Sequence, residues 1–111
     1  MRDKIDEILK LIKKNNFIEA EKKCKDIKNK LDNNLQFFHI YGFVSFNLKD
    51  YNKAIDLWRK TIKIDPSFVS GFNNLGNALS KIQKFEEAIK YLNKSLELKP
   101  DFFETHYTLS E

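Results

Sequence analysis

The sequence predicts an all-α fold, a superhelix of antiparallel α-α helix pairs, and three observations predict it. Ala20, Ala54 and Ala88 recur at a step of 34 residues, as do Phe17, Tyr51 and Phe85, then Cys24, Trp58 and Leu92, then Ile27, Thr61 and Ser95. Gly42 and Gly76, Tyr41 and Leu75, Phe38 and Phe72, Ile64 and Leu98, and Pro66 and Pro100 keep the same step. Within each unit, apolar residues fall at i, i+3, i+4 and i+7 in two runs separated by a short polar break, which is the spacing of two amphipathic helices. No stretch of useful length alternates apolar and polar residues as a half-buried strand does.

The elements follow in order from their stop signals. Unit one, residues 1–34, breaks at Asn15-Asn16 and again at Asp32 to Asn34. Unit two, 35–68, breaks at Lys49-Asp50 and ends at Asp65 to Ser67, where Pro66 supplies no amide hydrogen and restricts the residue before it. Unit three, 69–102, places its first helix from about Val69 to Ile82 and its second from about Phe85 to Lys99, and Pro100 stops it. Residues 103–111 open a fourth unit, with Asp101 and Glu104 reading as a capping box. The whole chain, 1–111, is one domain.

Composition bounds the function. The chain has 111 residues and a net charge of +4, with lysines scattered among acids, a balance that favours solubility and names no partner. One cysteine, Cys24, makes no internal disulfide, and one cysteine with two distant histidines supplies no tetrahedral metal site. The first ten residues, MRDKIDEILK, carry no apolar signal-peptide core, and Leu35 to Leu48 is interrupted by Gln36, His39, Ser45 and Asn47, short of the ~20 residues a membrane span needs. A soluble protein in the reducing cytoplasm is expected.

A 34-residue helix pair carrying Phe72, Leu75, Gly76, Leu79, Phe85, Ala88, Leu92, Ser95 and Pro100 resembles the tetratricopeptide repeat. Units two and three match its pattern closely. Unit one departs from it, with Lys4, Glu7 and Ile8 in columns that hold aromatic, leucine or glycine residues elsewhere, and reads as a terminal repeat with a more polar outer end. Pentatricopeptide RNA readers step by 35 and lack these alanine and proline columns. Small Gly42 and Gly76 are expected to face Ala54 and Ala88 across each pair, while Tyr51, Phe85, Trp58 and Leu92 fill the gaps between pairs. The first helices end in Asn15, Leu48 and Ile82, near where the family often has glycine; Asn tolerates a left-handed residue there and Leu or Ile does not.

The resemblance implies a protein-interaction scaffold, with a segment of a partner protein held in the groove that the first helices line. Helical spacing points Ile5, Leu9 and Ile12 of unit one at that groove, then Gln36, His39, Ile40, Phe43 and Phe46 of unit two, and Ser70, Asn73, Asn74, Asn77 and Lys81 of unit three. Such a groove is apolar at one end and amide-rich at the other, suited to a peptide whose backbone is held by Asn while an apolar anchor sits on Phe43 and Phe46. Phe43 and Phe46 also fit a packing role, and the asparagines a solvated one. Chaperone-binding members grip a terminal carboxylate with Lys, Arg and Asn; here Ile5, Leu9, Ile40 and Ser70 stand in those places, and only Asn74 remains of the set. The asparagine ladder of O-linked N-acetylglucosamine transferases is likewise represented by Asn74 alone, since Asp6, Ile40 and Thr108 take the matching places. The remaining polar groups read as structural: His106 as a packing residue, Cys24 as buried, and Lys22, Lys23, Lys25, Lys28 and Lys30 as a solvated face.

No phosphate loop, nucleophile elbow, metalloprotease motif or paired carboxylates appear, so no catalytic residue, metal or cofactor is expected. Nucleic acid requires one basic face with interleaved aromatics, which is lacking. Nothing in the sequence fixes an oligomeric state. A second reading makes the chain the amino-terminal, substrate-recruiting part of a larger glycosyltransferase, sulfotransferase or methyltransferase, since Phe102, Phe103, Tyr107 and Leu109 call for a further helix.

Overall fold

The structure, a computed structural model, describes residues 2–28 and 34–99. The expected fourth unit, the capping box at Asp101, His106 and Lys30 lie outside the described residues. Among the described residues the amphipathic runs form six helices, α1 (Arg2–Lys13), α2 (Phe17–Ile27), α3 (Leu35–Asn47), α4 (Tyr51–Ile64), α5 (Val69–Lys81) and α6 (Phe85–Leu98). Each odd helix packs on the helix that follows it, and the pairs stack through α2 on α3 and α4 on α5. α1 also touches α3, so the first helices share one face of the stack and the second helices the other.

The turn inside each pair is built the same way three times. Asn15, Lys49 and Gln83 have left-handed backbones, with φ of 59°, 65° and 66°. The next residue donates its amide five residues back, Asn16 to Leu11 at 2.8 Å, Asp50 to Ser45 at 2.9 Å and Lys84 to Leu79 at 3.0 Å, which closes a Schellman motif on each first helix. This corrects the expected turn register: Leu48 and Ile82 keep negative φ, and the left-handed residue falls one position later. The residue after it caps the second helix. The Asn16 side chain accepts from the Glu19 amide and the Asp50 side chain from the Lys53 amide, whereas Lys84 makes no such bond.

Packing fills the repeat columns. Ala20, Ala54 and Ala88 are buried, as are Cys24, Trp58 and Leu92. Contrary to expectation, the space beside Gly42 is taken by the Trp58 indole rather than by Ala54, and any side chain on Gly42 would overlap that ring. A side chain on Gly76 would meet Leu92 at 2.6 Å and the Ala88 carbonyl at 3.1 Å. Trp58 Nε1 donates to the His39 carbonyl at 3.2 Å, so the indole is both packed and satisfied. Buried Thr61 and Ser95 donate their hydroxyls to the carbonyls of Trp58 and Leu92, at 2.6 and 2.8 Å. Tyr51 sits edge-on to Phe46 at 5.2 Å between ring centroids. Phe85, expected to fill the matching gap in unit three, is instead 57% exposed, because no described helix lies beyond α6.

Outside the core, charges pair locally. Lys22 meets Glu19, Lys23 meets Glu7 and Lys25 meets Glu21, so much of the basic run on α2 is balanced by nearby acids. Lys53–Glu21 at 3.4 Å and Arg59–Glu87 at 2.9 Å tie successive second helices together. Such solvent-accessible pairs, the part-buried Lys53–Glu21 among them, contribute little stability individually and chiefly bias how the helices settle.

Candidate functional site

With successive residues about 100° apart around a helix, Leu9, Phe43 and Asn77 occupy one angular position on α1, α3 and α5. Lys13, Asn47 and Lys81 lie one turn further along the same face, and Gln36 and Ser70 two turns before Phe43 and Asn77. This strip is open. Leu9 is 40% and Phe43 43% exposed, Gln36, Lys13, Asn47 and Lys81 are exposed, and Ser70, Asn74 and Asn77 are half-buried.

One flank of the first helices, about 40–60° round from that strip, is closed. It carries Ile5 and Ile12 on α1, His39 and Phe46 on α3, and Asn73 on α5. Ile5 is buried and Ile12 half-buried. Phe46 packs on Tyr51 and on Trp58, 5.7 Å between the latter rings, so it belongs to the core. His39 stands edge-on to Phe68 at 5.2 Å, beyond α4. Asn73 is 1% exposed and does not face the groove, a correction to the expected amide set. Ile40, expected in the groove, is also buried. The amides that remain at the open strip are Asn74 and Asn77.

Electrostatics follow the same division. Burial holds the His39 imidazole below its ordinary pKa, so it is neutral at neutral pH, and its Nδ1 has no hydrogen-bond partner among the described residues. Burial pushes the Cys24 thiol up to about 12, with Glu21 adding to the shift, which leaves it unreactive. Among the described residues no group of His, Cys, Asp or Glu is arranged to hold a metal, and no helix is long and apolar enough to cross a membrane.

Phe43 is packed on one side and open on the other. Its inner edge meets Phe17 of α2 at 6.1 Å and 64°, an edge-to-face packing that fixes the ring, while its outer part stays open. Packing and exposure therefore coexist in one residue. Sequence reasoning missed Lys13 and Asn47 on the strip, although the 34-residue step that carries Lys81 back to Asn47 and Lys13 contains them. Asn47, which is exposed, donates from Nδ2 to the Phe43 carbonyl at 2.8 Å.

Two family models match the chain, a tetratricopeptide repeat over 69–102 and a TPR repeat over 44–83, and together they span 44–102, more than half of it. The chain belongs to the tetratricopeptide repeat family. A relative within it, the peroxisomal targeting signal receptor of Saccharomyces cerevisiae, is 30% identical over 69 residues, 62% of this chain. The chain spans only 11% of that receptor's length. Among solved structures, the first TPR of Spaghetti (RPAP3) bound to the HSP90 peptide SRMEEVD superposes with a TM-score of 0.89, at 24% identity, covering 95% of this chain and 83% of that one. A Thermobaculum terrenum O-GlcNAc transferase superposes with a TM-score of 0.87 at 25% identity, over 97% of this chain and 21% of the transferase. Of the four places where the resemblance puts the clamp of chaperone-binding members, Ile5 and Ile40 are buried, Leu9 is an open aliphatic surface and Ser70 is half-buried.

Proposed function

We propose that this tetratricopeptide domain is a protein-interaction scaffold that holds an extended segment of a partner protein along the open strip of α1, α3 and α5. The observation that carries the reading is the pair of large apolar side chains, Leu9 and Phe43, left open beside Asn74 and Asn77 on a face made otherwise of polar groups. Apolar side chains of a peptide gain from covering such a pair, and half-buried amides satisfy an extended backbone because each donates and accepts. The peptide-bound state of the Spaghetti (RPAP3) domain lends support from a shared fold. Partner specificity then rests on the side chains of the strip, since the fold alone sets none. The triple variant Phe43→Ala, Asn74→Ala, Asn77→Ala is expected to lose partner recovery in a pull-down while circular dichroism keeps its helicity. Recovery equal to the parent's counts against the groove.

A second reading is favoured by the transferase neighbour, in which the matching repeats occupy a fifth of an enzyme. On that reading the domain recruits substrate for a catalytic domain in the same chain and has no chemistry of its own. Sequencing the reading frame past Glu111 separates the two: a catalytic domain downstream supports recruitment, and a stop codon or further repeats alone supports a free-standing scaffold.

A further inference from the structure

The open strip is asymmetric, and its asymmetry selects a class of segment. Its apolar surface, Leu9 and Phe43, lies on α1 and α3, with Phe17 fixed behind Phe43. Its α5 end is polar, with Asn74, Asn77 and Ser70 half-buried and Lys81 exposed. Charge on the strip is predominantly positive: Lys13 and Lys81 stand on it and Lys10 at its margin, against Asp6 as the acid. None of these four makes an ion pair with a described residue. Lys13 and Lys81 thus differ from Lys22, Lys23, Lys25 and Lys53, each of which has an acid within 4 Å.

We infer that the groove takes an internal peptide segment that pairs an apolar anchor, seated on Leu9 and Phe43, with an acidic residue three to five positions away, facing Lys81. This rests on the groove reading above and deepens it. Distance sets the spacing. Neighbouring first helices lie about 10 Å apart, and Lys81 stands one turn, about 5–6 Å, along its helix from Asn77, so roughly 12 Å separates anchor and cation. An extended chain advances ~3.3 Å per residue, which covers that span in about four residues. The intervening backbone passes Asn77, and Asn74, nearly a turn away in the other direction along α5, lies beside the anchor end of the segment. A free carboxyl terminus finds no dedicated clamp, because Ile5 and Ile40 are buried and Leu9 is aliphatic, and Lys81 pairs equally well with a side-chain carboxylate.

The test is selection from two random-peptide libraries on the immobilised protein, one displayed inside a carrier loop and one ending in a free carboxylate. The looped library is expected to yield binders with an aliphatic or aromatic residue and an Asp or Glu three to five positions from it. A binder made synthetically with both ends blocked should weaken about thirtyfold on Phe43→Ala and about fivefold on Lys81→Glu. Because Phe43 also touches Phe17, the surface change Lys81→Glu keeps the test readable if Phe43→Ala destabilises the fold. Phe43-dependent binders without an acid preference, or drawn from the free-carboxylate library alone, overturn this inference and leave the groove reading intact. Binders indifferent to both substitutions overturn both.

Discussion

Lys49 and Gln83 hold left-handed backbones that residues with a Cβ adopt at a cost of roughly 1–2 kcal/mol. They hold them because each Schellman motif needs that reversal to satisfy the last carbonyls of the first helix and aim the chain back down the pair. Glycine adopts the conformation freely but loses more chain entropy on folding, about 0.5–1 kcal/mol. Lys49→Gly is therefore expected to stabilise the protein by about 0.5–1 kcal/mol, read as a rise in melting temperature; a fall contradicts the strain. These positions were legible in principle. Asn15 is a recognisable left-handed residue, and the 34-residue step carries it to Lys49 and Gln83, whereas alignment by helix ends points to Leu48 and Ile82. The Trp58 indole beside Gly42 was less legible, since alanine and glycine columns name small neighbours but not which large ring enters the space they leave.

At the scale of the element, the helices were read almost to their ends, because an apolar stripe every three or four residues is what burial on one side demands. The first helix of unit three runs Val69–Lys81 against an expected end at Ile82, and the second Phe85–Leu98 against Lys99. Capping differs between the second helices in a way that yields a prediction. Asn16 and Asp50 accept an amide hydrogen at the start of α2 and α4, and Lys84 at the start of α6 leaves that amide uncapped and sets a cation at the positive end of the helix. Lys84→Asp should supply the missing cap and raise stability by about 1 kcal/mol, measured by chemical denaturation. An unchanged midpoint contradicts the role given to Asn16 and Asp50. Which flank of a first helix is open and which is closed was the part the pattern did not carry. His39, Phe46 and Asn73 share a broad face with Phe43 and Asn77 by spacing, but Phe68 and Trp58, from the loop and second helix of the same unit, cover His39 and Phe46, and Asn73 is buried on α5.

At the scale of the molecule, repetition does two things. It stacks helix pairs through a shared set of columns, so that each unit buries what it cannot bury alone. It also leaves one strip of the first helices free to vary, and there the units diverge, from Leu9 to Phe43 to Asn77 and from Lys13 to Asn47 to Lys81. The outer side of α1 departs from the columns too: Glu7 and Lys10 stand where α3 has buried Tyr41 and Val44, and Glu7 pairs with Lys23 instead of packing. α6, by contrast, leaves Phe85 and Ile89 open, 57% and 48% exposed. The stack is thus polar on one side and apolar on the other, and the groove inherits the opposite order, apolar near α1 and amide-rich at α5. The 34-residue step made one shared strip of the first helices readable from sequence, while which of its residues stay open needed the helices in place.

The proposed partner segment lies along α1, α3 and α5. The most direct measurement of that placement is an NMR titration of isotope-labelled protein with a blocked peptide taken from the looped library. Amide shifts are expected to concentrate at Leu9, Phe43, Asn74, Asn77 and Lys81, with α2, α4 and α6 largely unmoved. Shifts confined to the second helices, with the strip silent, would contradict it.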